Sequence, residues 1–224
     1  MMQGVFVTGT DTEIGKTLIA AALLHVYRGA GLSAVGMKPV AAGCDEQGRN
    51  EDVESTRAAS SVIVAPELTC PYLFKEAIAP HIAAQHEGRR MDLKLIIERY
   101  RLLIADAAAV VVEGVGGFLV PLNDTESAAD LAQQLALPVV LVVGLRLGCI
   151  NHSLLTQDAI EARGLRLLGW VANHIDPHMR CVEENIDTLR RRLRAPLLAD
   201  VPYQPAPDAA HVASLFDRKL LGLV

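Results

Sequence analysis

The residues best equipped for chemistry lie together in Gly9-Thr10-Asp11-Thr12-Glu13-Ile14-Gly15-Lys16-Thr17. Glycine lets a backbone approach a ligand closely, lysine brings a full cation, and the threonine hydroxyl suits a hard metal ion. At this spacing the three types answer to one guest, a nucleotide polyphosphate with magnesium. Lys16 would meet the terminal phosphates and Thr17 the metal, while the backbone of Thr12, Glu13, Ile14, Gly15 and Leu18 surrounds the anion. Five residues, Thr10 to Ile14, separate Gly9 from Gly15-Lys16-Thr17, where the general phosphate-loop pattern has four. The loop is therefore a variant. An ordinary glycine turn would need neither the lysine nor the threonine.

Other candidates stand farther along the chain. Lys38 closes the apolar run Ala34-Val35-Gly36-Met37, and Glu113 ends the run Ala107 to Val112 just before Gly114-Val115-Gly116-Gly117. A carboxylate on such a strand is costly to bury unless it finds a cation, and a magnesium ion on Thr17 would supply one. Asn173-His174 follows the apolar run Leu167 to Ala172, and the asparagine amide can donate to and accept from a purine. Each has a plainer reading: a lone surface lysine, a glycine turn. Asp52, with Glu51 and Glu54, suits a helix start, where acids complement the dipole without catalytic duty. His174 and His178 flank Asp176, but Pro177 interrupts any helix that would align them on a metal.

These positions need strands that end at one edge. Val5-Phe6-Val7 precedes the loop, and Leu18, Ile19, Leu23, Leu24 and Tyr27 recur after it at helical spacing, until Gly29-Ala30-Gly31. Further strands are predicted at 34–37, 107–112, 138–143, 167–172 and 196–198. Helices are predicted from Asp92, from Ser127 to Ala136, after Gly148 with Asn151 in its first turn, and from Cys181 to Leu193. Ala41 to Asn50 reads as a loop, Pro66 to Phe74 as irregular or strand-like, Ala79-Pro80-His81 as the start of a short helix, and Val201 to Pro207 as a rigid loop. The alternation predicts an α/β fold, a doubly wound, mainly parallel sheet with helices on both faces in the manner of P-loop NTPases. No linker breaks residues 1–224, so one domain is expected.

Composition excludes several partners. Of 224 residues, 51% are hydrophobic and only 4% aromatic, with Ala, Leu and Val suited to strands buried beneath helices. A net charge of −5 argues against nucleic acid, and Arg190-Arg191-Arg192 with Arg194 reads as a solvated helix end. Cys44, Cys70, Cys149 and Cys181 show no metal-ligand or disulfide pattern, which fits a reducing cytoplasm. No apolar run approaches the roughly 18 residues of a membrane span, and no secretory leader is evident.

The chain resembles the dethiobiotin synthetase family over nearly its whole length. The resemblance is carried by Val7 to Thr17, Lys38-Pro39-Val40-Ala41, Val112-Glu113-Gly114, Leu147-Gly148-Cys149-Ile150-Asn151-His152 and Gly169-Trp170-Val171-Ala172-Asn173. The five-residue spacing in the phosphate loop is that family's form. The resemblance implies an ATP- and magnesium-dependent cyclo-ligase of biotin biosynthesis. In that reaction 7,8-diaminononanoate takes up carbon dioxide as a carbamate, ATP converts it to a carbamic-phosphoric anhydride, and the second amine closes a cyclic urea. It also implies roles: Lys16 and Lys38 as catalytic cations and Thr17, Asp52 and Glu113 as magnesium ligands. Gly114, Val115 and Gly116 would lie along the nucleotide, with Asn173, His174 and the loop Pro202-Tyr203-Gln204 around adenine. Gly116, Gly117 and Lys38 would meet the substrate, with Asn151 contributed across a homodimer interface. Ala42, Asn185 and His174 depart from the family's pattern, where a hydroxyl residue, a tyrosine and an aspartate often stand. Two rivals share the fold. A partitioning or septum-positioning switch resembles its kind by a lysine early in the phosphate loop, absent here from Gly9 to Ile14, and this chain ends in no basic tail or amphipathic membrane helix. Another cofactor-precursor ligase is disfavoured by Lys38-Pro39 and Asn151.

Overall fold

Strand β1 (Gln3–Gly9) sends Val5 and Val7 to one face and Phe6 to the other, and all three are buried. Apolar side chains on both faces require cover on both, and the rest of the chain supplies it. The structure, a computed structural model, describes residues 3–223; Met1, Met2 and Val224, the ends of the span expected to form one domain, lie outside the described residues. Helix α1 (Lys16–Gly29) follows the phosphate loop and leads to β2 (Ala34–Met37) and β3 (Val40–Ala42). Then come α2 (Glu51–Ala59), α3 (Pro66–Thr69), β4 (Tyr72–Phe74), α4 (Pro80–His86) and α5 (Leu93–Asp106). The second half alternates regularly: β5 (Ala109–Glu113), α6 (Ala128–Leu135), β6 (Val139–Gly144), α7 (Cys149–Ala162), β7 (Leu167–Asn173), α8 (Val182–Arg192), β8 (Leu197–Val201) and α9 (Ala209–Ala213).

Six strands form one parallel sheet in the order β2-β5-β1-β6-β7-β8. The chain passes from β1 to the edge strand β2, returns to insert β5 between them, and then crosses β1 to add β6, β7 and β8 on its other side, so the crevice beside β1 is a topological switch point. Helix α1 packs on one face with α9 and the end of α2, while α5 and α6 cover the other face and α7 and α8 close over β6 and β7. The expected doubly wound parallel sheet is the fold observed. No helix among the described residues is long and apolar enough to cross a membrane.

Three parts differ from the sequence reading, the first being Pro66–Thr69, expected as irregular or strand-like and found as the one-turn helix α3 with Pro66 at its start. Val40 to Ala42, the first of which precedes the expected loop, pair in parallel with Tyr72 to Phe74 as a second, two-stranded sheet. Three residues are too few to show a period, and the pairing spans the whole of α2 and α3. The loop reading holds only from Gly43 to Asn50. Beyond Pro207 the chain forms α9, capped by Asp208 accepting from the Ala210 N–H, and a 3₁₀ turn over Arg218–Leu221.

Candidate functional site

The phosphate loop is held by apolar and amide contacts from below. Ile14 is buried between Gly9 and Gly144, where an added Cβ would lie 2.5 Å and 2.6 Å from its side chain. Gly15 adopts φ +87°, and the amide Nδ2 of Asn173, at the end of β7, donates to the Ile14 carbonyl at 2.8 Å. No side chain caps the start of α1, and its first turn carries no acid. Its leading N–H groups therefore remain for an anion. Lys16 is buried, and its Nζ donates to the Asp11 carbonyl at 2.6 Å. Burial, and after it the nearby Lys38, lower its pKa from 10.5 to about 8, so it is still cationic at neutral pH.

Four residues from four elements meet beside this loop. Lys38 leaves the end of β2 with its N–H bonded to the Thr69 carbonyl at 2.9 Å. Its ammonium contacts Glu113 Oε1 at the end of β5, Asp52 Oδ2 in the first turn of α2 at 2.9 Å, and the Gly114 carbonyl at 3.3 Å. The Thr17 hydroxyl lies 2.6 Å from Asp52 Oδ1 and 2.8 Å from Glu113 Oε1. With one proton it donates to one of them at a time. Asp52 is positioned by the cap of α2, where Asn50 accepts from the Val53 N–H and its own amide donates to the Gly43 carbonyl at 2.6 Å.

Charge in this cluster is finely opposed. Burial would strip Lys38 of its proton, yet Glu113 and Asp52 outweigh it and raise its pKa. For Glu113 burial wins over Lys38, and its pKa is raised. Asp52, half-exposed, is also penalised by burial, but Lys38 and Thr17 hold it below the usual carboxylate range. Glu113 Oε2 is buried without a hydrogen-bond partner among the described residues. One hydroxyl, two carboxylates and an uncommitted carboxylate oxygen make a set of hard oxygen donors that fits magnesium. Among the described residues no three His, Cys, Asp or Glu side chains form a metal cluster, and His174 and His178 are not brought together on Asp176.

The remaining candidates surround the crevice at differing depth. A Cβ on Gly116 would sit 3.5 Å from Thr12 Oγ1, and one on Gly117 would sit 3.8 Å from the Gly9 carbonyl, so the turn after β5 lies against the phosphate loop. Thr12 and Glu13 are exposed, while Leu18 and Val115 turn toward the two cores. His174 contacts Asp200 Oδ1 through Nε2 at 2.7 Å, which commits one ring nitrogen to β8. Pro202 and Tyr203 are exposed, and Gln204 accepts from the Asp208 N–H. Asn151 is exposed on the first turn of α7 and is not joined to the Lys38 cluster. An open cleft of about 760 Å³ runs past Ala42 and Gly43 to Asp52. Glu51 and Glu54 are exposed on α2, and the Asn185 amide bonds to the Cys181 carbonyl of its own helix. The basic run on α8 is exposed, with Arg194 paired to Glu161 and Asp158.

One contact went unread in the sequence. Arg146, in the loop between β6 and α7, pairs with the Asp11 carboxylate of the phosphate loop. The available signal was an arginine at the C-terminal end of a strand that borders β1.

A family model described as an AAA domain, AAA_26, matches residues 3–211. Solved structures with a similar fold include MinD in the MinC:MinD cell division complex of Aquifex aeolicus, at 16% identity and a TM-score of 0.60 over 98% of this chain and 96% of that one. The septum site-determining protein MinD with Mg-ADP from Pyrococcus horikoshii OT3 is 14% identical, with a TM-score of 0.58 over 98% and 89%. A ParA family ATPase from Chlorobium tepidum TLS is 8% identical, with a TM-score of 0.57 over 100% and 93%. At such identities the likeness shows a P-loop ATPase fold, while the match across most of the sequence shows the family: the chain belongs to the AAA_26 family of AAA domains.

Proposed function

We propose that the chain is an ATP-dependent cyclo-ligase of the dethiobiotin synthetase type, acting as one domain over 1–224. The observation that carries the reading is Lys38 at the end of β2, gathered with Thr17, Asp52 and Glu113 beside a phosphate loop. A nucleotide hydrolase needs the loop and the metal ligands. A second buried lysine facing them is what an anionic acceptor such as a carbamate requires.

Thr17, Asp52 and Glu113 would hold magnesium, which when bound neutralises charge on the β- and γ-phosphates. The chain's own residues do the rest. Lys16 and the amides at the start of α1 orient the triphosphate. Lys38 holds the carbamate made from carbon dioxide and one amine of 7,8-diaminononanoate, and stabilises charge as its oxygen takes the γ-phosphoryl group and ADP leaves. Attack by the second amine then expels phosphate and closes the urea ring. Asn173 gives one Nδ2–H to the Ile14 carbonyl, and its Oδ1 and second N–H would serve adenine, with His174 and Pro202-Tyr203-Gln204 alongside. Gly116 and Gly117 admit the diamine close to the backbone. Asn151, exposed on α7, suits a contact to the substrate tail from the partner subunit of a homodimer.

The test is to incubate the protein with ATP, magnesium, bicarbonate and 7,8-diaminononanoate and assay dethiobiotin by mass spectrometry. Lys38→Ala should lower turnover by at least about 10²–10³, the usual effect of losing one donor to a developing oxyanion, while the fold and most nucleotide affinity persist. Full activity in that variant removes Lys38 from the mechanism. ATP hydrolysis that ignores the diamine but responds to a protein partner would favour a switch of the MinD or ParA kind instead.

A further inference from the structure

The Lys38 ammonium is surrounded by acceptors of its own chain. Of its three hydrogens, one goes to Glu113 Oε1 and one, at 3.3 Å, to the Gly114 carbonyl, and the group is ion-paired with Asp52 Oδ2 at 2.9 Å. Asp52 holds one partner on each oxygen, Thr17 on Oδ1 and Lys38 on Oδ2, and the Thr17 proton points at the carboxylates. The uncommitted acceptor in the cluster is Glu113 Oε2, buried and without a partner among the described residues. A divalent cation can therefore approach through that oxygen and the exposed side of Asp52, and it then draws on the same two carboxylates that hold the lysine. Two cations addressing the same pair of carboxylates also repel one another across a poorly screened site.

We propose that Lys38 and the divalent cation compete for Asp52 and Glu113, so that metal binding itself releases the Lys38 ammonium toward the acceptor substrate. This rests on the reading of Thr17, Asp52 and Glu113 as the metal ligands. It adds an order to the site: the lysine is freed toward the substrate as the metal is seated, and the metal is held more weakly than its ligands alone would allow. Competition of this kind is reciprocal. Whatever factor the metal subtracts from the lysine's pairing, the lysine subtracts from metal affinity.

The experiment measures Mn²⁺ binding to the full chain by electron paramagnetic resonance, without nucleotide, at fixed pH and ionic strength. Lys38→Met should bind Mn²⁺ more tightly than wild type by about tenfold, within the usual range of coupling between sites, whereas Lys38→Arg, which keeps the charge, should stay within about threefold of wild type. Asp52→Asn should bind more weakly. If Asp52→Asn leaves the affinity unchanged, the metal-ligand reading itself fails. If Asp52→Asn weakens binding but Lys38→Met is unchanged or weaker, the ligands stand and the competition is refuted. A measurement on wild type covers the case in which the variants do not fold. The ¹⁵N-labelled Lys38 ammonium, shielded from water by burial, should shift and exchange faster as Mg²⁺ is added. A resonance unmoved by saturating Mg²⁺ overturns the proposal.

Discussion

Gly15→Ala isolates the physical basis of the phosphate loop. Gly15 sits at φ +87°, in the left-handed region, where a Cβ costs about 1–2 kcal/mol. The added methyl would also overlap the Asn173 amide nitrogen, which now donates to the Ile14 carbonyl at 2.8 Å. If the amide swings away, that carbonyl loses its partner beside a buried side chain, a loss of about 1–3 kcal/mol. The two terms together predict about 2–5 kcal/mol, a large fraction of the 5–15 kcal/mol typical of a folded domain. Urea unfolding followed by circular dichroism measures it. Asn173→Ala removes the obstructing amide, so Gly15→Ala in that background should cost only the backbone part, about 1–2 kcal/mol, and the double mutant should be less destabilised than the sum of the singles. A cost for Gly15→Ala below about 1 kcal/mol, or strict additivity with Asn173→Ala, would refute the argument that the loop is locked by this one close approach.

Two further outcomes depend on pH. Lys16, lowered to about 8 by burial and by Lys38, attracts phosphate while protonated, so ATP affinity measured calorimetrically should hold up to about that pH and then fall by up to about tenfold per unit; a flat profile would show that its charge is not needed. Asp130 caps α6, accepting from the Ser127 N–H at 2.7 Å and hydroxyl at 2.6 Å and pairing with Arg163; burial opposes these contacts, but they prevail and hold its pKa below 3.8. A carboxylate lowered in the fold contributes stability above its unfolded value and loses it as pH falls through the folded one. Asp130→Asn should therefore cost about 1 kcal/mol at neutral pH and progressively less below 3.8, as read from unfolding midpoints.

Much of this architecture was legible because strands and motif restrict each other. A lysine-threonine pair after a glycine means little alone, but Val5-Phe6-Val7 before it and the apolar spacing from Leu18 to Tyr27 after it allow only strand, loop and helix. Lys38 and Glu113 could be assigned to the active edge because each ends an apolar run. Asp52 was ambiguous, and the structure shows why: it does start α2, yet its side chain turns to Thr17 and Lys38. Glu51 and Glu54, of the same type in the same turn, stay exposed. Arg146 stood at a strand end, but its pairing with Asp11, like that of His174 with Asp200, depends on which strands are neighbours. The three-residue strand β3 left no pattern to read, while β4 fell within the stretch read as irregular or strand-like.

Strand order also explains how the chemistry is sorted. Neighbouring strands lie about 4.8 Å apart, so the ends of β2, β5 and β1 place Lys38, Glu113 and the phosphate loop in consecutive steps. Glu113, on the middle strand, can reach both the lysine on one side and Thr17 on the other. On the far side of β1, the ends of β6 and β7 bring Arg146 to Asp11 and Asn173 to Ile14. The acids and the second lysine thus stand on one flank of the loop and the amide on the other. On the proposed function, a triphosphate laid across the loop would point its terminal phosphate to the β2 and β5 side and its base to the β7 side. That polarity would follow from β1 standing between the strands added first on one side, β2 and β5, and those added later on the other, β6 to β8.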